Sequence, residues 1–222
     1  MSGPVSDPVA APGAADAPHE VILVRHGRSA HEESGWLDVD GLRRWMTAYD
    51  AAEIALHHPP PRELVETVAR AARLVTSDLP RAIASAAMLA PGREAERMPL
   101  LREAPLETPE LPLPALGGLR MPLRGWALVL GARWLHAHLR GAPPPGVDAA
   151  ALARADEAAG WLVSASADAG GPIVVITHAT FRSLVAASLV RRGWRGPERR
   201  PFREWSAWRF APAGSRPALD TA

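Results

Sequence analysis

Two short apolar runs interrupt an otherwise mixed sequence and predict buried strands. Residues 21–24 and 173–176 are each four consecutive Val, Ile or Leu residues. Runs of β-branched residues without polar alternation are typical of strands that are covered on both faces, as in parallel sheets. Each run stops shortly before a histidine, His26 in the first case and His178 in the second. The pattern therefore places a histidine at the carboxyl end of two buried strands.

The remaining pattern alternates between helical periodicity and short strands. Helices are predicted at residues 41–54, 63–70, 82–90, 123–139, 148–167 and 180–192, and further strands at 73–76, 98–101 and 205–210. Ser77 or Asp78 is expected to cap the third of these helices, whose first turn contains Pro80, and Asp148 the fifth. Strands that alternate with helices predict an α/β fold, a three-layer α/β/α sandwich with a mostly parallel central sheet.

Proline and glycine mark the limits of the domain. Residues 1–18 are rich in Ala, Gly and Pro without the basic and apolar regions of a signal peptide, so we expect a disordered tail. One domain is predicted over 19–212, followed by a loose tail at 213–222. Residues 29–40 are expected to form a loop, and the Pro-rich stretch at about 104–124 an extended flap over one face of the domain.

Composition removes several classes of function. The 222 residues carry a formal net charge of +1, which argues against a nucleic-acid-binding protein. No run approaches the roughly 20 apolar residues of a membrane span, and a cytoplasmic protein without membrane partners is expected. The absence of Cys excludes thiolate chemistry. All 25 basic residues are Arg, whose planar fork suits carboxylate and phosphate groups.

Ionisable side chains gather at the predicted strand ends and helix starts. Arg25 and His26 follow the first strand, Arg81 lies in the first turn of a helix, Glu103 follows the strand at 98–101, and His178 follows the last parallel strand. The carboxyl ends of parallel strands share one edge of a sheet, where ligands bind. We therefore expect these distant positions to converge. The start of the helix beside Arg81 is also suited to bind an anion.

Four sequence elements in this order resemble a known family. They are Arg25-His26-Gly27 with Ser29, then Ser77, Leu79, Arg81 and Ala82, then Glu103, and finally Thr177-His178. This pattern, which extends from about residue 21 to residue 210, is similar to that of the histidine phosphatase superfamily, which includes cofactor-dependent phosphoglycerate mutases and many phosphatases. The resemblance implies a phosphoglycerate-mutase-like fold.

The resemblance also implies a role for each matching residue. His26 would be the nucleophile that forms a phosphohistidine, and Arg25, Arg81 and His178 would surround the phosphoryl oxygens. Glu103 would be the general acid and base, with His178 counted among the catalytic groups. The implied activity is hydrolysis of a phosphomonoester without metal or cofactor. The substrate would be a phosphorylated small molecule or a phosphoprotein.

Departures from the family pattern leave alternatives open. Glu32 stands where many members carry Asn, Arg28 replaces a common Glu or Gln, and Ala179 replaces a frequent Gly. Glu107 and Glu110 are rivals of Glu103 as the acid. A mutase-type phosphotransferase is one alternative to hydrolysis. A catalytically weak phospholigand-binding module is another.

Specificity is expected to reside in the flap and in the helix at 41–54. Candidates for the substrate entrance are Ser29, Trp36, Trp45, Arg120, Arg124 and Trp126.

Overall fold

Strands and helices alternate along the chain, as the sequence pattern predicts. The computed structural model describes residues 20–31, 35–105, 118–140 and 147–214. In chain order the elements are β1 (Val21–Arg25), β2 (Trp36–Leu37), α1 (Val39–Ala51), α2 (Arg62–Ala69), β3 (Arg73–Thr76), α3 (Pro80–Leu89), β4 (Glu96–Arg97), a 3₁₀ helix (Pro99–Leu101), β5 (Met121–Pro122), α4 (Leu123–Leu139), α5 (Ala149–Asp168), β6 (Ile173–Thr177), α6 (Ala179–Arg191), β7 (Trp194–Arg195) and β8 (Ala207–Pro212).

The central sheet has six strands in the order β4-β3-β6-β1-β8-β7. β4, β3, β6 and β1 are parallel, whereas β8 is antiparallel to β1 and β7 to β8. The mostly parallel sheet of the sequence prediction is thereby confirmed. The register of β1 and β6 pairs Arg25 with Thr177, so the residues that follow these two strands lie side by side.

Two apolar cores cover the two faces of the sheet. On one face, Val21 and Leu23 of β1 belong to a buried cluster with α5 and α6. On the other, Ile22 and Val24 of β1 pack in a cluster with α2 and α3. Successive side chains of a strand point to opposite faces, so one uninterrupted apolar run serves both cores. The molecule is therefore an α/β/α sandwich.

Most predicted elements are found within a few residues of their expected limits. α2, β3, α4, α5, β6 and α6 confirm their predictions, and Asp148 caps α5 by accepting a hydrogen bond from Ala151 N at 2.7 Å. α1 begins earlier than the predicted 41–54 because Asp38 caps it, accepting from Gly41 N at 2.7 Å, and it ends at Ala51. The last strand is displaced from 205–210 to Ala207–Pro212.

The predicted strand at 98–101 is wrong. β4 ends at Arg97, and Pro99–Leu101 forms a 3₁₀ helix instead. Met98 N still donates to Thr76 O at 2.8 Å, but Pro99 has no N–H with which to continue the ladder. The 3₁₀ helix buries Leu101, and Glu103 then meets the N-terminus of α6.

Two further predictions need correction. The cap of α3 is neither Ser77 nor Asp78: Leu79 precedes the helix without a side-chain cap, and Pro80 occupies the first turn, where its missing N–H costs nothing. The region predicted as a loop at 29–40 contains β2, which pairs with β5 inside the predicted flap. Short two-residue strands such as these leave no periodicity that a sequence pattern could reveal.

Several predictions lie outside the described residues. These are the tail at 1–18, most of the tail at 213–222, the middle of the flap at 106–117, and the residues Glu32, Glu107 and Glu110. Within the described ranges, none of the helices combines the length and apolar character that a bilayer span requires.

Candidate active site

The two histidines predicted at strand ends lie next to each other. His26 N donates to Thr177 O at 3.0 Å, which continues the pairing of β1 with β6 by one residue. The ring centroids of His26 and His178 are 5.1 Å apart. Both residues are buried, with 2% and 0% of their surfaces exposed. Sheet register brings together two residues that are far apart in sequence.

The tautomer of His26 follows from its hydrogen bonds. Nδ1 lies 2.6 Å from the carbonyl oxygen of Gly27, which can only accept, so Nδ1 carries the proton. Nε2 therefore keeps its lone pair, and it accepts a hydrogen bond from Arg81 Nε at 3.3 Å. Burial lowers the pKa of His26 to about 3, and the charge of Arg81 acts in the same direction. The imidazole is neutral at physiological pH.

His178 adds a second neutral imidazole. Its Nε2 lies 2.9 Å from Ser77 Oγ, at the end of β3. Its Nδ1 is buried and has no hydrogen-bond partner among the described residues. Burial lowers the pKa of His178 well below its usual value, and the nearby His26 and Arg81 lower it further.

Arg81 reaches the histidines from the first turn of α3, as predicted, but it is not a free cation. Its NH1 donates to the carbonyls of Tyr49 and Asp50, at 3.0 and 3.2 Å, and its NH2 to Asp50 Oδ1 at 2.9 Å. The guanidinium also lies over the ring of Tyr49, 4.6 Å from its centroid. Each nitrogen of Arg81 therefore already donates at least one hydrogen bond within the protein.

Asp50 is a site residue that the sequence reasoning missed. It lies at the end of α1, where the last carbonyls of the helix have no partner within the helix and face Arg81 instead. An acidic residue near a helix C-terminus is unfavourable for the helix dipole, and this was the available sequence signal. Likewise, a basic residue in the first turn of a helix is unfavourable for the helix dipole, and this signal singles out Arg81.

Arg25 is held by the segment from Pro201 to Ser206. Its backbone N–H donates to Ser206 O at 3.1 Å, its guanidinium donates to Phe202 O, and its NH2 lies 3.9 Å from the carboxylate of Glu204. Its Nε is buried without a hydrogen-bond partner in the described part of the chain. Arg25 also lines the cleft described below.

Arg182 anchors that same segment and was not singled out in the sequence. It is fully buried, and its NH1 and NH2 donate to Ser206 O at 2.8 Å and to Pro201 O at 2.8 Å. Its guanidinium stacks on Trp208, 3.8 Å from the ring centroid. Burial, together with the charge of Arg25, lowers the pKa of Arg182 to about 9. The available signal was its position four residues after His178.

Trp205 explains why a glycine follows His26. Trp205 has a φ of 59°, a rare backbone conformation for a bulky residue, and its Nε1 donates to His58 O at 3.1 Å. This conformation turns the indole against Gly27, where a Cβ would overlap the ring. Gly27 N in turn donates to Ser85 Oγ at 2.9 Å. The contact of Trp205 with Gly27 and the hydrogen bond to Ser85 together hold the loop that contains His26.

Glu103 lies at the N-terminus of α6. Its Oε1 accepts hydrogen bonds from Ala104 N at 2.9 Å and from Phe181 N at 2.8 Å, and its Oε2 accepts from Thr180 N at 3.4 Å. Burial raises the pKa of Glu103, while these backbone donors act against the rise. A carboxylate in this position satisfies helix N–H groups and can also hold a proton close to the ends of the strands that carry the two histidines.

Arg154 of α5 holds the chain that leads into Glu103. Its NH1 donates to the carbonyl oxygens of Leu100 at 3.1 Å and Arg102 at 2.6 Å, and its NH2 donates to Glu103 O at 3.0 Å. The guanidinium lies 4.1 Å from the ring centroid of Phe181. The position of Glu103 therefore depends on α5 and α6 together.

A cleft of about 1800 Å³ opens beside these groups. Arg25, Arg81 and Glu103 line it, as do Ser29 and Arg124 among the predicted entrance residues. Trp45 and Trp126 line it as well.

Trp36 and Arg120 are exposed and are not among the described residues that line the cleft. Trp36 instead pairs with Pro122 in the small β2–β5 sheet, and it is 63% exposed. The structure thus brings the five predicted chemical groups to one edge of the sheet, while the predicted entrance is only partly assembled there.

Comparisons with known proteins give structural similarity alone. No family model matches the chain, and no curated protein matches it. The structure is similar to that of the open reading frame Rv3214 from Mycobacterium tuberculosis, with 17% sequence identity, a TM-score of 0.49, and coverage of 86% of this chain and 90% of that chain. It is also similar to TTHB049 from Thermus thermophilus, with 23% identity, a TM-score of 0.45, and coverage of 86% of this chain and 92% of that chain.

Proposed function

We propose that this chain is a phosphomonoester hydrolase of the histidine phosphatase type, with His26 as its nucleophile. The main support for the proposal is the tautomer of His26. Gly27 O accepts a hydrogen bond from Nδ1, so Nε2 is the nitrogen whose lone pair would attack phosphorus. A pKa of about 3 keeps this imidazole unprotonated across the physiological range. Covalent catalysis of this kind divides one difficult displacement into two easier ones.

In the first step, the Nε2 lone pair of His26 attacks phosphorus and the bond from phosphorus to the ester oxygen breaks. Glu103, protonated at the outset, donates its proton to the departing alcohol oxygen. The ring of the phosphohistidine gains positive charge, and Gly27 O, which accepts from Nδ1, stabilises it. Arg25, Arg81 and His178 would donate to the phosphoryl oxygens, where negative charge is spread in the transition state.

In the second step, a water molecule gives a proton to Glu103 and its oxygen attacks the phosphohistidine. The N–P bond breaks, inorganic phosphate leaves, and both His26 and Glu103 return to their starting protonation states. The raised pKa of Glu103 suits a group that must hold a proton in one step and release it in the other.

The central test compares wild type with His26→Ala on an aryl phosphate in the presence of a chelator. We expect hydrolysis by the wild type, loss of at least about 1000-fold in the variant, and an acid-labile mass increase of one phosphoryl group on the wild type during turnover. His136→Ala, which changes an exposed histidine of α4, is the matched control. Undiminished hydrolysis by His26→Ala would overturn the proposal.

Glu103→Gln tests the proton transfer separately. An aryl phosphate with an acidic phenol as leaving group needs no proton, whereas an alkyl phosphate does. We expect kcat/KM, which reports the first step and not the breakdown of the phosphohistidine, to fall about 100-fold more on the alkyl ester than on the aryl ester. Equal losses on both esters would assign Glu103 to the support of α6, whose N–H groups it accepts, instead of to acid catalysis.

One observation favours a second candidate, a module that binds a phosphorylated ligand without turnover. Asp50 already engages Arg81, so a phosphoryl group must compete with a carboxylate for this arginine. A binding module would retain phosphorylated ligands but form no phosphohistidine. Detection of the acid-labile adduct on His26 would exclude the binding module.

A separate measurement distinguishes hydrolysis from mutase-type transfer. It is the partition of labelled phosphate between water and an added alcohol.

A further inference from the structure

Two helices turn an apolar stripe toward the same cleft. The stripe of α1 consists of Leu42, Trp45, Met46 and Tyr49. The stripe of α4 consists of Leu123, Trp126, Ala127 and Leu130. Both follow the spacing i, i+3, i+4, i+7 of one helix face, although α4 also carries exposed leucines on its other faces, such as Leu128 and Leu135. Here several members, including Trp45, Met46 and Leu130, are only half-buried and line open space.

The α1 stripe begins beside the proposed nucleophile and leads away from it. The ring of Tyr49 lies 6.4 Å from that of His26, measured between centroids. Trp45 stacks on Tyr49 at 5.0 Å with an angle of 22° between the rings, and His31 lies 5.3 Å beyond Trp45. A phosphoester held at His26 would therefore extend its alcohol part along a row of apolar and aromatic side chains.

Four polar side chains of the cleft, Ser29, Thr47, Asp50 and Glu103, are engaged within the protein. Ser29 Oγ accepts from His31 N at 3.1 Å, and Thr47 Oγ1 donates to Arg43 O at 3.2 Å. The carboxylates of Asp50 and Glu103 accept from Arg81 and from backbone N–H groups. The chain has no Asn, Gln or Lys at all. These four side chains therefore have fewer atoms left to bind the hydroxyls of a sugar or a glycerate, and the other polar side chains of the described lining are mostly arginine and histidine.

The size of the cleft also favours a large apolar ligand. At about 1800 Å³ it exceeds the roughly 300–1,000 Å³ that is usual for small-molecule pockets. A phosphoryl group with a three-carbon polyol would leave most of the apolar lining in contact with water. A large apolar alcohol would remove that lining from water on binding, which is favourable.

We infer that the substrates of this enzyme are phosphomonoesters of large apolar alcohols, aromatic or branched aliphatic, in preference to polyol phosphates. The inference rests on the hydrolase function proposed above. The stripes on α1 and α4 hold the apolar part of the substrate, while Arg25, Arg81 and His178 hold the phosphoryl group.

The experiment compares 3-phenylpropyl phosphate with glycerol 1-phosphate. Both are esters of primary alcohols, so the same type of bond is broken, and the glycerol oxygen is the better leaving group. We expect kcat/KM of the wild type to be about tenfold or more higher for the phenylpropyl ester. Equal values, or a preference for glycerol 1-phosphate, would overturn the inference while leaving the hydrolase function intact.

Two leucines of α4 provide a matched pair of variants. Leu130 lines the cleft, whereas Leu128 is 76% exposed and is not among the described residues of its lining. Leu130→Ala should lower kcat/KM for the phenylpropyl ester about tenfold and leave glycerol 1-phosphate unaffected, and Leu128→Ala should change neither. A fall of equal size on both esters in Leu130→Ala would contradict the inference.

A binding measurement separates failure of the inference from failure of the proposed function. Phosphonates cannot be hydrolysed, so their affinity reports on the cleft even if the protein hydrolyses nothing. 3-Phenylpropylphosphonate should bind the wild type about tenfold or more tightly than methylphosphonate. Preferential binding without hydrolysis of either ester would sink the hydrolase function and, with it, the substrate assignment. Equal affinities for the two phosphonates would contradict the assignment of the cleft to apolar ligands.

Discussion

His26 owes its proposed reactivity to a hydrogen bond and to its burial. The carbonyl of Gly27 holds the proton on Nδ1, and burial among arginines keeps the second nitrogen unprotonated. Arg81 donates to that nitrogen and so points at the position where a phosphoryl group would bind. The same surroundings give His26 a measurable effect on folding.

We expect stability to fall as the pH falls from 6.5 toward 5. In this window the unfolded chain protonates His26 and His178 while the folded chain does not, because burial lowers both pKa values. Each histidine adds at most about 1.4 kcal/mol per pH unit to this slope. Urea unfolding of wild type and His26→Ala at several pH values measures it. The variant should show a shallower slope, while His136→Ala retains the full one, and identical slopes in all three would contradict the assignment.

In the proposed mechanism, the carboxylate of Asp50 competes with the phosphoryl group for Arg81. Asp50→Asn removes the negative charge and leaves the shape of the side chain almost unchanged, so phosphate should bind about fivefold more tightly. Calorimetric titration with inorganic phosphate measures the change. Glu66→Gln, which removes the exposed carboxylate paired with Arg62 on α2, outside the described lining of the cleft, is the control. Weaker phosphate binding in Asp50→Asn would mean that Asp50 orients Arg81 for the ligand.

At the scale of elements, α6 connects most parts of the proposed site. His178 precedes its first residue, Glu103 accepts from its first N–H groups, and Arg182 extends from its first turn to the segment at 201–206. That segment positions Arg25 through Ser206 O and presses Trp205 against Gly27. The helix therefore links the ends of β6 and β1 through side chains as well as through the sheet.

Arg182→Met tests this connection. The change leaves Ser206 O and Pro201 O without their guanidinium donors, so the free energy of unfolding should fall by about 1–3 kcal/mol. If Arg182 positions Arg25, phosphate affinity should fall as well, at temperatures where the variant is fully folded. Arg191→Met, at the exposed end of the same helix, controls for loss of a surface charge. Loss of stability with unchanged phosphate affinity would limit Arg182 to a structural role.

At the scale of the whole molecule, one sheet organises both cores and the site. β1 and β6 are apolar on both faces, pair in register, and deliver their histidines to the same edge. Glu103 reaches that edge by a different route, through a 3₁₀ turn held by Arg154 and by Thr177, whose Oγ1 donates to Leu101 O at 2.8 Å. The cleft lies where this edge meets α1 and α4.

The sequence by itself determined the elements whose signal is local. Continuous apolar runs predicted β1 and β6, helical periodicity predicted α4 and α5, and Asp148 marked the start of α5, because burial on both faces and helix capping depend on residues close together in the chain. The sequence also allowed us to predict that five residues converge: Arg25, His26, Arg81, Glu103 and His178. This prediction follows from the rule that parallel strands end at one edge.

Only the tertiary structure decided the partners of these residues. The pairing of Asp50 with Arg81, the anchoring of 201–206 by Arg182, and the positive φ of Trp205 are contacts between distant segments, and no periodicity encodes them. The cleft was predicted only in part: Trp45 of α1 and Trp126 of α4 were candidates for the entrance, but the packing of the chain decides that the two helices border one open space. A local pattern records which face of a helix is apolar, whereas what covers that face depends on the packing of the whole chain.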